Sequence, residues 1–211
     1  MQVFFLILAT VVALVSSIGV QEQKSNSTSA LGGLFKAEPA VTELDLSKYT
    51  GYWYEMYMDA IVENTIQKDN FCATATYGEP DSEGHVSVKN FARIGGADAS
   101  YESSTIVGYA YVPNADKPGE LKVKFDEGQG AAPFAAPYWV LETGPVNEKG
   151  QYDWAIVSDN LSQFLFVLAR DYDVFYSTYD ADVQVKLTDL GFKGYKKPIA
   201  IHQGTDCDYK Q

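Results

Sequence analysis

Hydrophobic and polar residues alternate in short runs along most of the chain, and turn-forming residues separate the runs at near-regular intervals. Tyr52–Ile61 is aromatic and branched, and follows Gly51. Phe71–Tyr77 alternates Ala with Thr and stops at Gly78–Gly84, a stretch of Asp, Pro and Gly. In Val86–Ile94, residues Val86, Val88, Asn90 and Ala92 share one face, and Ser87, Lys89, Phe91 and Arg93 the other. Tyr101–Val112 follows and ends at the turn Pro113–Gly119. Leu121, Val123 and Phe125 then alternate with Lys122, Lys124 and Asp126, the pattern of a half-buried strand. Tyr138–Glu142, Tyr152–Ser158 and Phe164–Arg170 are three further strands, joined by connectors of hairpin length. The period then changes. Tyr179, Val183, Leu187 and Leu190 fall on one face of a helix that Gly191 ends, and Pro198–Ile201 returns to extended chain. About eight antiparallel strands in tandem, with one helix after them, predict an all-β barrel or sandwich.

The N-terminus reads differently. Val3–Val15 is apolar and uncharged, and the small residues Ser16, Ser17 and Gly19 follow it. That order predicts a secretory signal peptide over residues 1–19, with a short membrane anchor as the alternative. The run is shorter than the roughly 20 apolar residues of a membrane span. Residues 20–44 are rich in Ser, Gly, Ala and Gln and form an expected flexible leader, which leaves 45–211 as one folded domain. Asn26 and Asn160 each begin an Asn-x-Ser/Thr triplet and are candidate glycosylation sites.

The formal net charge is -12, with no cluster of Lys or Arg. Nucleic acid is excluded as a partner, because phosphate binding needs a basic footprint. Tyr and Phe number 15 and 11, which favours strands and an aromatic-lined interior. Cys72 and Cys207 are the two cysteines. In a secreted chain an even pair predicts one disulfide, here from an early strand to the extreme C-terminus; two buried free thiols are the alternative. His85 and His202 stand apart from any Ser or Cys motif, and no Gly-x-Ser-x-Gly occurs. Metal-ligand spacing is absent, and Asp171-x-Asp173 and Asp180-x-Asp182 read as solvated turns or helix N-termini. No catalytic residue, metal or cofactor is expected.

Three segments carry a family resemblance. Gly51-Tyr52-Trp53-Tyr54-Glu55 resembles the Gly-x-Trp signature on the first strand of lipocalins. Tyr152-Asp153-Trp154-Ala155-Ile156-Val157 is similar to the second family motif, before the seventh strand. Phe164–Arg170 is similar to the third, whose Arg ends the eighth strand. Gln203-Gly204-Thr205-Asp206-Cys207 resembles the tail of the apolipoprotein D and bacterial-lipocalin branch, and the likeness runs from Leu46 to Tyr209.

The resemblance implies an eight-stranded antiparallel up-and-down barrel with one C-terminal α-helix packed on its wall, just wide enough for one small ligand. It implies that Trp53 plugs one end, that Arg170 lies across its indole and hydrogen-bonds backbone carbonyls, and that Gly51 serves the turn into the strand. Alternation then places Phe164, Phe166 and Leu168 inside. Val88, Asn90, Gly108, Ala110, Leu121, Val123 and Phe125 are the other candidate lining residues, with small side chains on the fourth strand leaving room. Tyr109 and Tyr111 are expected outside, under the helix. On the sixth strand either Trp139 and Leu141 or Tyr138 and Val140 face in. Gly128–Pro137 is either an entrance flap tipped by Phe134 or a linker. The implied function is a secreted carrier of a small hydrophobic ligand such as a lipid, sterol, retinoid or pigment. It would be a monomer or weak dimer, with peripheral membrane or lipoprotein contact open to it. The alternatives are a lipocalin-fold enzyme acting on a lipophilic substrate and a barrel used as a protein-interaction scaffold.

Overall fold

The computed structural model describes residues 37–95, 102–126 and 134–209. The expected signal peptide, Asn26 and most of the Gly128–Pro137 loop lie outside these. Eight strands form the barrel: β1 (Gly51–Asp59), β2 (Asn70–Pro80), β3 (Val86–Ile94), β4 (Glu102–Tyr111), β5 (Glu120–Phe125), β6 (Ala136–Thr143), β7 (Trp154–Ser158) and β8 (Phe166–Ala169). Each pairs antiparallel with the next, and β1 pairs with both β8 and β2, so the sheet closes on itself. The expected eight-stranded up-and-down barrel is therefore present.

Closure is uneven. β1 meets β2 only through Gly51–Tyr54 against Tyr77–Thr74. Beyond that, β1 takes a ninth strand, β9 (Pro198–Ala200), along its upper half. The C-terminal tail fills the seam that β2 leaves. Ile201 donates its N–H to the Met56 carbonyl (2.9 Å), and Cys72 donates to the His202 carbonyl (2.8 Å). The Gln203 side-chain amide donates to the backbone carbonyls of both Glu55 and Ala73, each at 2.8 Å, and so bridges β1 and β2 directly. A disulfide joins Cys72 to Cys207 across the same seam.

A helical stretch covers one wall. It comprises α3 (Tyr172–Val174), a π-helical turn over Phe175–Tyr179 and α4 (Asp180–Asp189). Asp171 caps its start by accepting from the N–H groups of Asp173 and Val174, both at 2.9 Å. Phe175, Val183 and Leu187 are fully buried against Met56, Trp154, Ile156 and Val167 of β1, β7 and β8. Each such side chain contributes about 1.5–3 kcal/mol by leaving water. This explains β7, all five residues of which are buried: Ala155 and Val157 face the barrel, while Trp154 and Ile156 face the helix. A strand covered on both sides loses the alternation of a half-exposed one.

Four expectations need correction. The first strand ends at Asp59, and Ala60–Thr65 form a short helix, α2. The Asp59 carboxylate accepts from the N–H groups of Ile61 and Val62 (2.9 and 2.8 Å), which starts the helix despite its branched residues. The C-terminal helix begins seven residues before Tyr179, because Val174 and Tyr176 sit exposed on its outer face and blur the period. Tyr109 and Tyr111 do not lie under the helix; they pack around His85 on the opposite wall. The end of the leader is not free. Val41 donates to the Val140 carbonyl (2.8 Å), and Val41 and Leu44 pack with α1 (Leu46–Tyr49) at one end of the barrel.

Candidate functional site

The barrel floor is built around Trp53, which is completely buried. Its indole N–H donates to the Tyr49 carbonyl at 2.8 Å. The Arg170 guanidinium carbon sits 3.6 Å from the centre of the indole ring. Arg170 also donates to the carbonyls of Tyr52 (2.8 Å), Thr50 (2.9 Å), Lys48 (3.1 Å), Tyr49 (3.2 Å) and Tyr152 (3.2 Å). One flat head thus ties α1, β1 and the turn before β7 together, a geometry open to Arg and not to Lys. Burial lowers its pKa to about 10, so it stays charged at neutral pH. Gly51 enters β1 at φ +98°, and a Cβ there would crowd Gln151 and Arg170 at 3.1 and 3.2 Å. Above Trp53, the Tyr138 hydroxyl meets those of Tyr49 (2.7 Å) and Tyr77 (2.9 Å).

Over this floor lies a cavity of about 870 Å³. Val88, Asn90, Val123, Phe125, Phe164 and Phe166 all line it, with Ala73, Ala75, Ile106, Val157 and Leu168. Leu121 and Ala110 face inward but lower down, packed with Val86 and Tyr49 in the floor. On β6 the inward pair is Tyr138 and Val140; Trp139 and Leu141 pack under the helix. Gly108 is a correction. A Cβ on it would strike the Lys124 carbonyl oxygen at 2.1 Å and Phe125 Cα at 2.7 Å, so β5 backbone occupies the room that was expected for a guest. Phe134 and Leu161 are exposed at the mouth, as is Asn160.

Among the polar side chains that line this cavity, Glu55 is a buried carboxyl with an unpartnered oxygen. It stands two residues after Trp53 and is only 7 % exposed. Its Oε2 accepts from the Gln67 side-chain amide at 3.0 Å, while its Oε1 has no partner among the described residues. Burial pushes the carboxyl up to about 7, with the Gln67 hydrogen bond opposing the rise. Asp59, buried at the top of β1, is pushed up to about 6 by the same cause, opposed by the N–H groups of Val62 and Ile61. Both carboxyls hold their protons more tightly folded than unfolded. Their contribution to stability is complete below about pH 4 and is lost as pH rises through 6 and 7. Glu55→Gln is expected to be more stable than the wild type at pH 8, by about 3 kcal/mol, and equal to it near pH 4. Urea unfolding across that range is the measurement; an equal midpoint at pH 8 contradicts the raised carboxyl.

Among the described residues one group of metal-ligand side chains converges, Cys72, His202 and Cys207, and the disulfide uses both thiols.

The profile of the lipocalin-like domain matches residues 44–196, which is most of the chain. The chain belongs to the lipocalin family. Among curated proteins it is similar to the outer membrane lipoprotein Blc of Vibrio cholerae, 28% identical over 138 residues, covering 65% of this chain and 71% of that one. The likeness of the tail to bacterial lipocalins agrees with this match. Two solved structures share this lipocalin's fold. Lobster apocrustacyanin A1 superposes with a TM-score of 0.51 at 18% identity, covering 82% of this chain and 94% of its own. Japanin from Rhipicephalus appendiculatus, solved bound to cholesterol, gives 0.50 at 11% identity, with 80% and 100% covered. At such identities these neighbours speak for the fold alone.

Glu55 and Gln67 were missed as site residues in the sequence. Glu55 was within reach, since alternation from Trp53 points it inward. Gln67 was not, because it follows a helix that the residue pattern hides.

Proposed function

We propose that this lipocalin carries a small hydrophobic molecule in its barrel, outside the cell, and catalyses no reaction. One observation carries the reading: the hollow of about 870 Å³, lined mainly by apolar side chains above a sealed floor. Ligand pockets of drug-sized molecules span roughly 300–1,000 Å³ with a few placed polar groups. The expected lining residues Val88, Asn90, Val123, Phe125, Phe164 and Phe166 are the proposed contact set, with Trp53, Arg170 and Gly51 holding the floor shut. The disulfide supports an oxidising compartment, in keeping with a signal peptide at residues 1–19. The exposure of Asn160 supports glycan attachment at the cavity rim. Both thiols are bonded, and His85 and His202 pair with surface carboxylates away from the cavity, which favours carriage over catalysis.

The test is titration with the apolar fluorophore N-phenyl-1-naphthylamine. The wild type is expected to bind it with micromolar affinity. Ile106→Trp, which pushes a larger ring into the cavity, is expected to weaken binding at least about tenfold with an unchanged circular dichroism spectrum. A wild type that leaves the fluorophore dark, or a variant that binds it equally well, removes the carrier reading.

A further inference from the structure

Among the residues that line the cavity, three buried side-chain oxygens stand out. Glu55 Oε1, Gln67 Oε1 and Asn90 Oδ1 are all buried and all without a partner among the described residues. The orientation of the Gln67 amide follows from its own bond: its nitrogen donates to Glu55, so its oxygen points elsewhere. Glu55 and Gln67 come from different elements, β1 and the turn after α2, and meet beneath the mouth. Asn90 faces the same space from β3. The Gln67 and Asn90 oxygens accept hydrogen bonds, and Glu55 Oε1 does so when its carboxyl is ionised. A buried acceptor without a donor costs free energy, so the site is complete only when something supplies one. Among the described residues no Lys, Arg or His pairs with Glu55.

We propose that the cavity selects apolar molecules carrying a hydrogen-bond-donating head, a hydroxyl or a protonated amine, which Glu55 and Gln67 receive beneath the mouth. This rests on the carrier reading and narrows it. An alcohol donates its one proton to an orphaned oxygen. An ammonium head donates to both residues and supplies the cation that Glu55 lacks. A fatty acid anion brings further acceptors and a negative charge against a carboxyl, so its chain fits while its head is rejected. The other ionisable groups facing this space do not replace the missing cation. Tyr77 and Tyr138 are held neutral by burial. Asp159 is engaged by the N–H groups of Leu161, Gln163 and Phe164. Lys122 reaches the mouth from an exposed position on β5. An amine arriving at Glu55 favours its ionised form, so amine binding strengthens as pH rises.

The experiment displaces N-phenyl-1-naphthylamine from the wild type and from Glu55→Gln with dodecanol, dodecylamine and dodecanoate, at pH 5.5 and pH 8. At least one of the alcohol and the amine is expected to bind about tenfold or more tighter than the acid at pH 8. The amine is expected to gain about tenfold between the two pH values in the wild type and nothing in Glu55→Gln. Tighter alcohol alone identifies a hydroxylated guest, and tighter amine alone a cationic one; both outcomes support the proposal. Equal displacement by all three, or preference for the acid, overturns it while leaving the carrier reading intact. A wild type that never binds the fluorophore ends both. An unchanged circular dichroism spectrum, with a melting curve equal to that of the wild type near pH 4, shows that Glu55→Gln is folded.

Discussion

Replacing Trp53 with alanine is expected to cost about 3–5 kcal/mol and to open the sealed end of the barrel. The magnitude is that of a large aromatic removed from a close-packed site, because the surroundings relax only partly into the space left behind. Here the loss extends further. The indole is the surface on which the Arg170 guanidinium lies, 3.6 Å from its centre, so the variant strips one face from a half-buried cation. The five carbonyls that Arg170 serves come from both the entry to β1 and the turn before β7, and they lose their common donor if it swings away. Urea unfolding gives the size of the effect, and retention of a bound fluorophore tells whether the floor still holds. Arg170→Lys is the companion variant. It keeps the charge and loses the flat fork, so a fall of about 2 kcal/mol is expected from unserved carbonyls. A loss below about 1 kcal/mol at Trp53 shows that the floor does not depend on it.

Breaking the disulfide is the second large effect. Cys72 and Cys207 are 135 residues apart, so the bond closes a loop of nearly the whole barrel. Chain-entropy arguments put such a link at about 4–5 kcal/mol. Cys72→Ser with Cys207→Ser is expected to lower the unfolding midpoint in oxidising buffer, and wild type treated with dithiothreitol should match it. The site of the bond adds to the cost, since the tail it anchors carries Gln203, whose amide holds β1 to β2. In the reduced wild type, amide exchange at Cys72 and Ile201 is expected to quicken before the rest of the barrel does. Identical midpoints with and without reductant show that the seam is held by its hydrogen bonds alone.

How far the sequence disclosed this molecule depends on which interaction decided each element. Strands facing the core on one side and water on the other were legible by alternation, as Leu121, Val123 and Phe125 against Lys122 and Lys124 show. The disulfide was legible from two cysteines and a signal-like N-terminus. The helix was half legible: Val183 and Leu187 announced it, while its first turns depend on Asp171 as a cap and on Phe175 finding a pocket between strands. α2 was hidden because Ile61 and Val62 favour strand locally, and the Asp59 cap overrides them. Inward-facing residues followed from parity, yet parity says nothing of spacing between strands, which is why Gly108 read as room for a guest. The contact between Glu55 and Gln67 joins two elements through a turn, and no local pattern reports such a meeting.

The tail that fills the seam has a consequence for synthesis. The first strand and the second cannot be joined along their full length until residues 198–207 have emerged, because those residues are the material of the join. Every other neighbouring pair can form as translation proceeds, but the ring must wait open-edged for its final segment. Such long-range pairing folds on the millisecond-to-second scale. In the meantime the nascent sheet offers an unpaired apolar edge, a natural substrate for chaperones and, where they are scarce, the place at which this protein begins to aggregate.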